Sequence, residues 1–312
     1  MNIRGLSYYL GLSCYPITFL SFFNVLYSSY FDHYLNLDSY ILTLVTSFLV
    51  GLGLHFFSKN SEKNIKFYEK LVLIFLIYFL ISLLISIPYY FGNYQLSFID
   101  SFFEAVSGVT TTGFTVFYNV KFLDPTLIIW RSSSHWIGGL FFLIFLILIF
   151  SNFKNEYKLT NLIYNPDKAT NLFKDSQKII TKVFFIYIFL TGLVFILLSL
   201  TGIRLFNSFN LAMSVSSTGA FIPTNELSEI IRSTSQKIIL TIGVTFSALN
   251  IYFFYSLFKN SNTNKKHQED FLILLAITFF SLILFFSIKE TSFLSIFFNV
   301  VSSMSNSGLT FN

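Results

Sequence analysis

Charge is what this chain most conspicuously lacks. Asp, Glu, Lys and Arg make up 11% of its 312 residues, against about 25% in water-soluble domains. A water-soluble fold of this size is therefore excluded. Cysteine is nearly absent too: Cys14 stands alone, so neither an intrachain disulfide nor a cysteine zinc cluster can form. The four histidines, His33, His55, His135 and His267, are far apart in sequence. Ionisable groups are also scarce in the centres of the long apolar runs. That argues against a membrane-embedded enzyme, whose site needs clustered acids, bases or metal ligands, so we expect no enzymatic activity and no covalently held cofactor. The net charge of +5 does not indicate nucleic acid, because the basic residues lie between apolar runs rather than in one stripe.

What the chain has in abundance is apolar length. Hydrophobic residues reach 54%, Phe alone supplies 43 positions, and the mean hydropathy is +0.67. Apolar runs at 6–27, 38–58, 70–91, 126–151, 179–202, 235–258 and 271–288 each approach the roughly 20 residues that span a bilayer as a helix. Helix is required because an open strand would leave backbone groups unpaired in lipid. The N-terminus carries Arg4 and then an apolar run long enough to stay in the membrane, so no cleaved signal peptide is expected.

Basic residues set the orientation. With a cytoplasmic N-terminus, and with three segments that dip in from outside and return, Arg4 and the lysines of 59–70, 154–182 and 259–266 lie inside. These are fourteen of the twenty basic residues. Lys121, Arg131, Arg204, Arg232, Lys237 and Lys289 lie outside. Full crossings at the three dipping segments would scatter the lysine-rich loops over both sides.

Those three segments, near 98–113, 205–219 and 293–308, align without gaps on Gly113, Gly219 and Gly308. Each has Phe ten positions before the glycine, followed directly by Glu or Asn, and Ser or Thr immediately before the glycine and three before it. Non-helical backbone at membrane depth is tolerated only where it lines a cavity. A Ser/Thr-Gly strip there offers carbonyl oxygens that can replace the water shell of a cation. Glycine lets such carbonyls turn toward one axis, and the C-terminal end of a half-helix favours a cation beneath it.

The stretches Phe103–Gly113, Leu127–Arg131 and Trp136–Leu140 resemble the first pore loop and the following helix of the Trk/Ktr/HKT superfamily of potassium transporters, within it the TrkH branch. The resemblance covers essentially the whole chain. It implies an all-α polytopic membrane protein, with repeated helix–pore loop–helix units around a pseudo-fourfold pore preceded by two extra transmembrane helices. In that scheme 1–68 holds the two extra helices and 69–152 the first unit. Residues 153–258 hold a cytoplasmic loop and the second unit, and 259–312 the first helix and pore loop of the third. The family's ion filter, carried over, falls on Thr111, Thr112 and Gly113; Ser217, Thr218 and Gly219; and Asn306, Ser307 and Gly308. Glycine at 113 resembles potassium-selective members. The resemblance further implies K+ uptake across the cell inner membrane, passive or proton-coupled (symport), a homodimer in the lipid bilayer, and a cytoplasmic nucleotide-binding partner of the TrkA kind. The family has four units and this chain stops four residues after the third glycine, so a fragment or a non-conducting short or regulatory subunit is the alternative expectation.

Five further features carry expectations of their own. Ser101-x-x-Glu104 reads as a capping box opening the first half-helix, with cation attraction at the pore mouth as the sharper role for Glu104. Arg131 reads as an interfacial or structural residue near a helix start, where long cations can snorkel. His135, one turn later, reads as a packed histidine rather than a proton sensor. Gly138-Gly139 reads as a close helix contact. The loops at 152–178 and 259–266 read as positive-inside signals, the first also as a docking surface for a partner.

Overall fold

The computed structural model describes residues 2–59, 65–150, 176–249, 268–288 and 292–311. Ten α-helices run through these residues: α1 (Ile3–Tyr30), α2 (Leu37–Phe57), α3 (Phe67–Phe91), α4 (Phe98–Val109), α5 (Pro125–Phe150), α6 (Ser176–Leu200), α7 (Leu205–Ser216), α8 (Thr234–Ala248), α9 (Gln268–Ser287) and α10 (Phe293–Met304). No strand occurs among the described residues. Six helices, α1, α2, α3, α5, α6 and α9, are long and apolar enough to cross a membrane. The chain is an all-α, multi-pass membrane protein. The lysine-rich segments at 154–174 and 259–266 lie outside the described residues.

The chain forms two compact units, Met1–Gly138 and Gly139–Asn312. In the first, α1 and α2 pack along each other, and the hydroxyls of Thr18 and Ser47 share a hydrogen bond of 2.9 Å across them. In lipid such polar contacts join helices that the hydrophobic effect cannot. At the base of α3 the Glu69 carboxylate accepts the Asn2 N–H at 2.7 Å and the Lys66 N–H at 2.9 Å, tying the starts of α1 and α3 together. At the other end Asp124-Pro125 opens α5. The Asp124 carbonyl accepts from Leu127 and Ile128, and proline at the first helical position has no N–H to leave unpaired. The buried Trp130 indole then donates to the Ile85 carbonyl at 3.1 Å, seating α5 on α3.

The second unit repeats the plan. Here α6 packs on α7 and α8, and α9 on α10, while α10 also meets α8. Val194, Leu198, Leu211, Val244, Phe298 and Val301 lie in the shared apolar core.

One run differs from its sequence reading. The apolar run 235–258 is not one continuous helix: α8 ends at Ala248, and Leu249 turns extended with φ −80° and ψ 155°. The approach to this end is poor helix material. Thr245 and Ser247 donate their hydroxyls back to the Thr241 and Gly243 carbonyls at 2.7 and 3.0 Å, a bonding that weakens and bends helices. Hydropathy registers the run's apolarity and not its continuity.

Candidate functional site

The three dipping segments fold as short helices followed by a non-helical return, called the returning strand below although it is not a β-strand. Each of α4, α7 and α10 has 12 residues. At 1.5 Å per residue that is about 18 Å, too short for a hydrocarbon core of about 30 Å. Ser97 caps α4, its hydroxyl accepting the Asp100 N–H at 3.1 Å. Ser292 caps α10 in the same way through Ser295 at 3.3 Å.

All three helices end in the same motif. The residue after the C-cap adopts a left-handed conformation: Thr111 at φ 57°, Thr218 at 53° and Asn306 at 57°. The next N–H reaches back six residues in ring count, Thr112 to the Ser107 carbonyl at 3.0 Å, Gly219 to Ser214 at 2.8 Å and Ser307 to Ser302 at 2.9 Å. The inner bonds, Thr111 to Gly108, Thr218 to Val215 and Asn306 to Ser303, complete a Schellman closure in each. A β-branched threonine in this region costs about 1–2 kcal/mol. That this strain is carried by threonine at two matched positions, Thr111 and Thr218, where glycine or asparagine would be unstrained, suits a turn shaped for something beyond ending a helix.

This motif corrects the register of the second segment. Helix starts, helix ends, left-handed residues and Schellman bonds all match when Thr111 is paired with Thr218 and Asn306. Gly219 then corresponds to Thr112 and Ser307, and Ala220 to Gly113 and Gly308. The gapless alignment on Gly219 is one residue out. Ser217 accordingly lies at the C-cap of α7 (φ −87°, ψ 0°), beside Thr110 and Ser305 in role, and not in the returning strand. Its hydroxyl is spent on the Met213 and Ser214 carbonyls at 2.9 and 3.1 Å. The returning strand of this hairpin is Thr218-Gly219-Ala220. At the strand's far position Gly113 and Gly308 have φ of 84° and 64°, which alanine at 220 does not share.

Sequence reasoning passed over a serine that the register reveals. Ser107, Ser214 and Ser302, each five residues before the middle strand residue, donate their hydroxyls to the carbonyls of Phe114, Phe221 and Leu309, seven residues on. Each helix thereby holds its own returning strand. The repeated spacing Ser-x6-Phe/Leu is the signal that could have found them.

Glu104 is neither cap nor mouth charge. α4 begins four residues earlier than a box on Ser101 and Glu104 requires, because Ser97 and Asp100 supply the cap. Glu104 lies mid-helix and fully buried. One carboxylate oxygen accepts from the Thr115 hydroxyl at 3.0 Å and from Arg131 Nε at 2.8 Å, the other from the Val116 N–H at 3.0 Å. Arg131 is correspondingly buried, which fits the structural reading and not the interfacial one. Its guanidinium also lies 5.7 Å from the Phe117 ring centroid. Its burial follows from the carboxylate: an arginine inside an apolar helix pair needs a charged partner to be tolerated. His135 is packed and fully buried. Gly138 makes the contact expected of it, since a Cβ there would fall 2.0 Å from the Val109 carbonyl at the end of α4.

In the second unit Gly139 faces Ser217, where a Cβ would lie 2.9 Å from the serine's own. The second and third returning strands converge in this unit. A Cβ on Gly308 would meet the Ala220 methyl at 3.0 Å. Lys237, on α8, places its ammonium 4.8 Å from the Phe311 ring centroid just past the third strand. No group of three or more His, Cys, Asp or Glu capable of holding a metal ion occurs among the described residues. What the hairpins offer instead is short stretches of backbone directly after helix C-termini, chemistry suited to a desolvated monovalent cation.

Comparison with known proteins follows the same lines. No family model matches the chain. Among curated proteins it is 27% identical to the uncharacterized cation transporter MJ1485 of Methanocaldococcus jannaschii, over 80% of this chain and 52% of that protein. It is 22% identical to the Trk system potassium uptake protein TrkH of Vibrio parahaemolyticus, over 72% and 47%. A shorter stretch, 32% of this chain and 21% of the relative, is 33% identical to the Trk system potassium uptake protein TrkG of Escherichia coli. The chain thus spans about half the length of the curated relatives it matches most extensively. The crystal structure of the potassium transporter TrkH from Vibrio parahaemolyticus matches the fold with a TM-score of 0.76 at 19% identity, covering 99% of this chain and 66% of that one.

Proposed function

We propose, from its similarity to Trk potassium uptake proteins and its TrkH-like fold, that the chain belongs to the Trk/TrkH superfamily, is pore-forming material of a potassium uptake system and carries K+ across the cell inner membrane. The reading is carried by one observation: three dipping hairpins close with the same left-handed turn and the same Schellman bonds. Repeating one left-handed turn three times in one chain, twice on a disfavoured threonine, is intelligible if the carbonyls beyond it bind the transported ion. The filter then comprises Thr111, Thr112 and Gly113; Thr218, Gly219 and Ala220; and Asn306, Ser307 and Gly308. Ser217, which the family resemblance places in the filter, caps the helix.

The finer parts of the reading come from the likeness to Trk proteins. They are a pseudo-fourfold arrangement of hairpins, a homodimer, a TrkA-like nucleotide-binding partner on the cytoplasmic side, a cytoplasmic N-terminus, and coupling to protons.

The test is growth of a potassium-uptake-deficient bacterium at low external K+, with initial rates of Rb+ and Na+ uptake. The natural full coding sequence should restore growth, and Gly113→Ser should lower K+ selectivity over Na+. Restored growth with selectivity unchanged by Gly113→Ser would remove the first hairpin from the filter. Failure to restore growth or take up Rb+, with the protein present in the membrane, would remove the potassium reading.

A further inference from the structure

The corrected register exposes a fourth matched position. In the first hairpin the Glu104 carboxylate accepts the Val116 N–H at 3.0 Å. In the third, Asn299 occupies the position of Glu104 and Phe311 that of Val116. There the Asn299 side chain accepts the Phe311 N–H at 2.9 Å and donates to the Phe311 carbonyl at 3.0 Å. A polar side chain in the middle of the short helix therefore grips the peptide three residues beyond the filter. In the second hairpin the same two positions are Leu211 and Pro223, both buried. Leucine cannot accept a hydrogen bond, and proline has no N–H to donate.

The two replacements answer each other. A backbone N–H drawn away from water must find an acceptor or cost free energy, so the half-buried Val116 and the buried Phe311 are served by Glu104 and Asn299. Proline removes the donor, which frees the helix position to be apolar, and its ring locks φ near −65° without any partner. Either half alone would leave a buried polar group unpaired.

We infer that these pairs, Glu104 with Val116, Asn299 with Phe311 and Leu211 with Pro223, are positioning residues that hold the returning strands and so set the ion selectivity of the filter. Two interchangeable devices do this, a hydrogen-bonded grip and a proline lock. The grip and the lock act on the strand whatever ion passes; their effect on selectivity rests on the potassium reading above.

The test is a double-substitution cycle in the second hairpin of the full-length protein, read by thermal unfolding in detergent and by the Rb+/Na+ uptake ratio. Leu211→Asn alone and Pro223→Ala alone should each lower the unfolding midpoint by about 2–5 °C, the effect of one unpaired buried group. Each should also lower the uptake ratio about two- to tenfold, the weight of one net hydrogen bond. Leu211→Asn with Pro223→Ala rebuilds the grip of the third hairpin and should exceed the Leu211→Asn single in both readouts. Leu211→Met, which keeps the site apolar, should match the unsubstituted protein. Additive losses in the double would overturn the pairing. Coupled unfolding with an uptake ratio unmoved by every variant would overturn the positioning role. If the unsubstituted protein takes up no Rb+ while unfolding is coupled, the potassium reading fails and the pairing stands.

Discussion

The buried ion pair between Glu104 and Arg131 makes the sharpest test of how the first hairpin is held. The two groups meet at 2.8 Å, with side chains 0% and 2% exposed. Glu104→Leu strands the Arg131 charge in an apolar interior and frees the Val116 N–H and Thr115 hydroxyl. Breaking one side of such a pair costs about 3–5 kcal/mol, which for a chain of this size is a fall of about 5–10 °C in the unfolding midpoint. Arg131→Met strands the carboxylate and should cost a similar amount, softened by the two donors it keeps. The double variant Glu104→Leu/Arg131→Met removes both charges. What it still loses is the grip on Val116 and Thr115, so it should cost only about 1–3 kcal/mol, less than either single. The assay is thermal unfolding of the purified protein in one detergent, with Rb+ uptake in cells alongside. Singles within about 1 kcal/mol of the unsubstituted protein would refute the reasoning, because that is the behaviour of a solvent-screened pair. A double variant that loses the sum of the singles would refute it as well, since the charges would then not be answering each other.

Other expectations concern glycines and the filter. Gly138→Ala drives a methyl to 2.0 Å from the Val109 carbonyl. The helix end must move, at an overpacking cost of about 1–3 kcal/mol, and Rb+ uptake should fall with the unfolding midpoint. Gly308→Ala meets both a left-handed φ of 64° and the Ala220 methyl. It should lose about 1–2 kcal/mol to backbone strain alone. Adding Ala220→Gly should relieve the contact but leave the strain, so partial rather than full recovery of the midpoint is expected. Gly113→Ser, measured by the K+/Na+ uptake ratio, and the Leu211–Pro223 cycle complete the set.

Much of the architecture is legible along the chain because a bilayer imposes simple demands. Apolar runs of spanning length must be helices, and α1, α2, α3, α5, α6 and α9 lie where hydropathy puts them. The three dipping segments are also legible, since apolar stretches too short to cross recur with a glycine at their end. The boundaries expected at 68, 152 and 258 remain a reading of the sequence; the compact units divide between Gly138 and Gly139.

Three matters were decided only in three dimensions. The register of the second hairpin was hidden because Gly219 offered an attractive match. Backbone conformation, seen in the left-handed Thr111, Thr218 and Asn306, sets equivalence, and residue identity does not record it. The role of Glu104 was hidden because its partners lie 11, 12 and 27 residues away, beyond the reach of a local capping pattern. Arg131 inherits its burial from that same distant carboxylate. The end of α8 at Ala248 was hidden because hydropathy measures the cost of leaving water and is blind to whether a helix continues. The sequence by itself thus determined which segments enter the membrane, through transfer free energy summed over runs. The tertiary structure decided which residues face one another at the turn of each hairpin, through hydrogen bonds and close contacts between positions that no local pattern relates.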